Sequence, residues 1–152
     1  MRRAFTVVEL IVVLVILGII AAIAVPRLSH AAATAAETHL EADRRAIQNA
    51  VGLYQGEHLE RTPAHWPDGT VDTDGSRFIE RLTGRTDEYG AVGADGALGP
   101  YLAAFPINAN TACRMVQIGD MNSVTDCAWR FEPATLRLRP DHDGVNLADP
   151  RW

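Results

Sequence analysis

The chain has no lysine: all fourteen of its basic residues are arginine. A phosphate-binding loop of the Gly-x-x-x-x-Gly-Lys type is thereby excluded. There are only two cysteines, Cys113 and Cys127, and the five histidines stand far apart at 30, 39, 58, 65 and 142. No third and fourth ligand falls at zinc spacing. No serine lies in a nucleophile signature, so catalysis has no footing and the chain is expected not to be an enzyme. Positive charge is also short, with a net charge of −5. That balance speaks against general nucleic-acid affinity, which needs basic surface.

Against this sparseness stands one long apolar run, FTVVELIVVLVILGIIAAIAVP at 5–26, behind Met1-Arg2-Arg3-Ala4. Residues 10–25 contain no charge and no strong hydrogen-bonding side chain, and extending back to Phe5 adds only Thr6 and Glu9 as polar interruptions. Roughly 20 apolar helical residues span a bilayer. Arg2 and Arg3 flank one end, which by the positive-inside rule keeps the N-terminus cytoplasmic and sends the remainder outward. Glu9 does not suit a plain anchor. An ionised carboxylate at that depth costs on the order of 2 to 3 kcal/mol or more unless a cation meets it. Arg2 and Arg3 are the intrachain candidates. A better one is the α-amino group of Phe5, if the chain is cut after Ala4; between staggered neighbours, the amine of one chain can meet the carboxylate of the next.

A cleavable signal peptide also has a basic start, an apolar centre and small residues, here around 31–33, and the Arg-Arg pair echoes a twin-arginine signal. An h-region, however, is normally about 7 to 15 residues long and without an acidic residue. The run here is longer and contains Glu9.

Arg2-Arg3-Ala4, then Phe5-Thr6-Val7-Val8-Glu9-Leu10, then an apolar stretch closing on Ala21-Ala22-Ile23-Ala24-Val25-Pro26, resembles the N-terminus of type IV pilins and of the pseudopilins of type II secretion systems. The resemblance covers about the first thirty residues, with Ala4 standing where the family usually has Gly. It implies a prepilin peptidase that cuts between Ala4 and Phe5 and methylates the Phe5 amine, with Glu9 needed for subunit register or methylation. It further implies an inner-membrane assembly platform and like or related pilin subunits as partners. The protein would be single-pass in the inner membrane, with its globular part periplasmic, and then part of a periplasmic or surface filament.

The expected organisation is a leader at 1–4, a transmembrane or filament-core helix at 5–26, an amphipathic helical half at 27–59 and a globular domain at 60–152. Pro26 lacks a helical N–H and is expected to break or bend the helix. Leu40, Ile47, Val51 and Tyr54 recur at steps of 7, 4 and 3, one face of a helix turned to a core. Residues 61–152 hold seven of the eight prolines and nine of the twelve glycines, which predicts a loop-rich domain with a modest core. Within it, Asp72-Thr73-Asp74-Gly75 resembles the opening of a calcium loop but lacks the closing glutamate, so turn chemistry is the plainer reading. Residues 76–82 read as a short helix capped by Ser76, with Phe78, Ile79 and Leu82 inward. Tyr101, Leu102 and Phe105 read as core.

Strand patterns occur at 113–118, 125–131 and 136–139, giving an antiparallel meander of about three strands. The fold class is α+β, a long N-terminal helix packed on a small antiparallel sheet, as in pilins. Family members often carry Gly after Thr135, where this chain has Leu136. Cys113 and Cys127 flank the first expected hairpin outside the cytoplasm, and a bridge there is worth about 3 kcal/mol; two unpaired buried thiols are the alternative. Asp141 and Asp143, with Gly144, are weak calcium candidates, since pseudopilins of type II secretion hold calcium in a C-terminal loop. Two carboxylates fall short of the usual six to eight oxygens. The competing function is a secreted or membrane-anchored, non-catalytic binding domain whose N-terminus is merely a signal or anchor.

Overall fold

The structure, a computed structural model, describes residues 6–119 and 129–141, and at 26–33 the backbone only. The element order is α1 (Val7–Glu57), α2 (Gly75–Thr83), β1 (Val116–Ile118), β2 (Trp129–Glu132) and β3 (Arg137–Pro140). The chain divides into two compact units, residues 1–38 and 39–152.

In the first unit α1 runs as helix through Pro26. The expected break is therefore not an end of the helix: proline forfeits one i→i−4 bond, and the flanking bonds carry the helix across. The large apolar side chains from Val7 to Val25 are each 50–73% exposed.

The second unit is built differently. The face foreseen from spacing is enclosed, with Leu40, Ile47, Val51 and Tyr54 all buried, and Ala50 beside them. α1 ends at Glu57, two residues short of the expected Leu59. The Glu60 N–H returns to the Gln55 carbonyl at 3.0 Å, a six-to-one closure of the helix end. Leu59 takes the left-handed conformation there, at φ 56°.

The cap of α2 is Asp74, whose carboxylate accepts from the Ser76 N–H at 2.9 Å. Ser76 is thus the capped residue and not the cap: an Asp two positions earlier reaches the orphan amides first. A Cβ at Gly75 would lie 1.8 Å from the Val116 carbonyl oxygen, so only glycine lets α2 start this close to β1. Phe78 and Leu82 are buried from α2. Phe78 packs on Phe131 at 4.9 Å and edge-on to Phe105 at 6.3 Å between ring centroids. Tyr101 and Leu102 pack against this core, half-buried, as expected.

The sheet departs from the expected meander. β2 and β3 are antiparallel, but β1 runs parallel to β2 with Val116 opposite Trp129 and Ile118 opposite Phe131. The Trp129 N–H donates to Met115 O and the Gly119 N–H to Phe131 O, each at 3.0 Å. Among the described residues the second strand pairs from Trp129, and the expected start at 125 lies outside them. Val116, Ile118, Trp129, Phe131, Leu138 and Pro140 share the core-facing side, while Gln117, Arg130 and Arg139 line up on the other. Leu136 closes the β2–β3 turn at φ 56°, the left-handed conformation that makes glycine usual at such a place.

Two polar networks tie the irregular segments to this core. Arg81, buried on α2, donates from Nη1 to Pro63 O at 2.6 Å and from Nε to Gly90 O at 3.2 Å. Its Nη2 pairs with the buried Asp72 at 3.1 Å. Arg77 approaches the same carboxylate at 3.1 Å, and both guanidinium groups lie over Trp66. His58, buried at the end of α1, stacks on Tyr54 with 3.6 Å between centroids. A carbonyl only accepts, so the His58 Nδ1 proton goes to Tyr54 O at 2.8 Å, and Nε2 accepts from the Thr86 hydroxyl at 3.0 Å.

Candidate functional site at the start of the long helix

Helix α1 opens on a reciprocal arrangement of two side chains. The Thr6 N–H and the Thr6 hydroxyl both donate to Glu9 Oε2 at 2.9 Å, and the Glu9 N–H donates to Thr6 Oγ1 at 3.3 Å. This is a capping box, in which a Ser or Thr at the N-cap and a Glu three residues on satisfy two orphan donors of the first turn. The helix N-terminus also carries partial positive charge, which favours a carboxylate there. Glu9 is therefore stabilised by its own backbone before any second cation is considered. Thr6 is absent from the residues singled out above, although Thr-x-x-Glu just before an apolar run is itself the signature of such a box.

Behind this polar mouth the helix offers nothing but hydrocarbon. Val7–Val25 is the one helix among the described residues that is long and apolar enough to cross a membrane, with a mean hydropathy of 3.1 and none of it buried. Ala4 and Phe5, the expected cleavage and methylation residues, lie outside the described residues. What the structure supplies is their neighbour. The Thr6 amide that Glu9 holds is the next backbone nitrogen along the chain after that of Phe5.

The remaining candidates sit elsewhere. Cys113 is half-buried, and its sulfur accepts from the Met115 N–H at 3.4 Å; Cys127 lies outside the described residues, and with it the expected bridge. Asp141 is buried, its carboxylate 3.3 Å from Arg130 and its backbone carbonyl accepting from Asn108 Nδ2 at 3.0 Å. Its charge is thus directed at a cation of the protein. Asp143 lies outside the described residues, as does His142. Among the described residues no three His, Cys, Asp or Glu side chains come together as a metal site.

In the second unit the buried polar groups are spent on structure. Burial, chiefly, pushes the Tyr54 hydroxyl up to about 12, with Asp87 adding to the shift and Arg81 opposing it. Tyr101 is raised by burial and then by Glu57, to which its hydroxyl donates at 2.5 Å. Both phenols stay protonated through the neutral range, Tyr101 as a hydrogen-bond donor. His65 is lowered by burial and by Arg61 and Arg81.

Residues 1–25 match the family model described as the prokaryotic N-terminal methylation motif. The chain thus carries the N-terminal signature of type IV pilin-like and pseudopilin precursors. In general that signature implies peptidase processing, membrane anchoring and assembly with other pilin-type subunits. The α+β architecture, a long apolar helix followed by a short helix and a small mixed sheet, agrees with it. No curated protein and no solved structure matches the chain.

Proposed function

We propose that this chain is the precursor of a structural filament subunit. It enters the inner membrane with its N-terminus cytoplasmic and its globular part periplasmic. A prepilin peptidase cuts between Ala4 and Phe5 and methylates the new amine. The mature chain then passes to an inner-membrane assembly platform and packs with like or related subunits into a type II secretion pseudopilus or a type IV pilus-like filament. It is not a catalyst and takes no nucleic acid.

The observation that carries this reading is the pairing of Glu9, at the mouth of α1, with an apolar helix that its own chain leaves uncovered. Moving such a helix from lipid into a bundle of equally apolar helices costs little in solvation, and packing and polar pairing supply the cohesion. Glu9 then sets the register by meeting the Phe5 amine of a neighbour.

Glu9→Ala tests it. The variant is expected to reach the membrane and to be cut after Ala4, as intact mass would show, but to yield filaments reduced about a hundred-fold or more. The basis is that removing one partner of a desolvated ion pair costs roughly 3 to 5 kcal/mol. Normal assembly of Glu9→Ala, or a mature chain beginning near Ala32, would instead make the N-terminus a mere signal or anchor of a binding domain.

A further inference from the structure

We infer that Thr6 is the positioning residue for Glu9, fixing which carboxylate oxygen remains open to a cation; the assignment rests on the functional reading above. Both Thr6 donors converge on one oxygen, Oε2, at 2.9 Å each, and the Glu9 N–H returns to the Thr6 hydroxyl at 3.3 Å. The carboxylate is held at two points of one residue and cannot rotate about its own axis without losing both donors. Oε1 has no partner among the described residues and is the oxygen left to receive an ammonium group.

The hydroxyl matters in two senses at once. As an acceptor it caps the helix, and as a donor it takes the place of water on the Glu9 carboxylate. A carboxylate in an apolar setting needs such donors. An unassembled chain therefore holds the Glu9 carboxyl group in place, and incoming cations meet an oriented oxygen rather than a swinging side chain. Pre-organisation of this kind strengthens the pairing because the ordering cost is met within the single chain. The cation is either the Phe5 amine of the same chain or that of a second copy, and both present the same chemistry.

The test compares Thr6→Val, nearly the same shape without the hydroxyl, with Thr6→Ser, which keeps it, both made in the full-length chain. For each, intact mass of the membrane-extracted protein gives the cleaved fraction and the methylated share of that fraction, and filament yield is measured alongside. Thr6→Val is expected to be cut normally, with filament yield or methylated share lowered about ten-fold, as suits the loss of a hydrogen bond to a charged group. Thr6→Ser is expected to restore both. Loss of methylation with filaments intact assigns the cation as the chain's own amine, whereas loss of filaments with methylation intact assigns it as the neighbour's. A Thr6→Val chain equal to wild type in both readouts, or a Thr6→Ser chain as impaired as Thr6→Val, overturns the assignment. A wild-type chain found uncut sinks the functional reading itself, and the role of Thr6 with it.

Discussion

Helix α1 carries an isoleucine at 20 and another at 47, and their surroundings have nothing in common. Ile20 is 56% exposed, whereas Ile47 is 0% exposed. The first belongs to the apolar stretch at 7–25, none of which is buried, and the second to the buried cluster of the other unit. The same residue type on the same helix thus answers to two solvents. In residues 39–141 the chain supplies its own apolar environment, and in residues 7–25 the environment has to be supplied from outside, by lipid or by other helices.

The sharpest way to break this contrast is to truncate both isoleucines. Ile47→Ala is expected to lower the unfolding free energy of the globular unit by about 2 to 5 kcal/mol, the transfer loss plus a cavity. Ile20→Ala should leave it within about 0.5 kcal/mol. Urea titration of the detergent-solubilised chain, followed by tryptophan fluorescence, measures both. An equal loss from Ile20→Ala would mean that the second unit draws stability from the first, and the contrast would disappear.

A smaller effect of opposite sign is expected at Leu136, a half-exposed side chain held at φ 56°. Left-handed backbone costs a non-glycine residue roughly 1 to 2 kcal/mol, part of which glycine gives back as entropy of the unfolded chain. Leu136→Gly should therefore raise stability by about 0.5 to 1 kcal/mol, seen as a higher urea midpoint. A lower midpoint would show that the Leu136 side chain contributes packing that outweighs its strain.

The smallest effect concerns charge on α1 beyond its apolar run. Glu41 accepts from Arg44 at 2.8 Å and from Arg45 at 2.7 Å. The Arg44 hydrogen bond, against an opposing desolvation cost and with help from Arg45, lowers its carboxyl from 4.5 to about 2. A carboxyl depressed in the folded state adds stability above its unfolded value of 4.5 and loses it as pH falls toward 2. Glu41→Gln should thus flatten the loss of stability between pH 4.5 and 2, by less than about 1 kcal/mol for so open a pair. Unchanged slopes in the two proteins would remove Glu41 from the acid transition.

The legible parts of this molecule were those with a period or a motif. The steps from Leu40 to Tyr54 located the buried face of α1, and the leader, Phe5, Glu9 and the apolar run carried the resemblance that the methylation motif at 1–25 matches. What stayed hidden depended on partners distant in the chain. The burial of Arg81 follows from carbonyls at Pro63 and Gly90, which no local pattern announces. The parallel pairing of β1 with β2 is likewise a matter of where the chain returns, since Val116–Ile118 reads the same in either direction. Thr6 is a different case: its signal was local, but the search for a cation to meet Glu9 passed over the hydroxyl three residues before it, which holds the same carboxylate.

The parallel strand pair also orders events in time. β2 and β3 are joined by a four-residue turn and can zip from it, the kind of hairpin that closes in microseconds. β1 has no turn from which to start and must find β2 through a larger loop closure, which is entropically dearer and slower. The globular unit therefore cannot finish its sheet until the strands at 129–140 have reached β1.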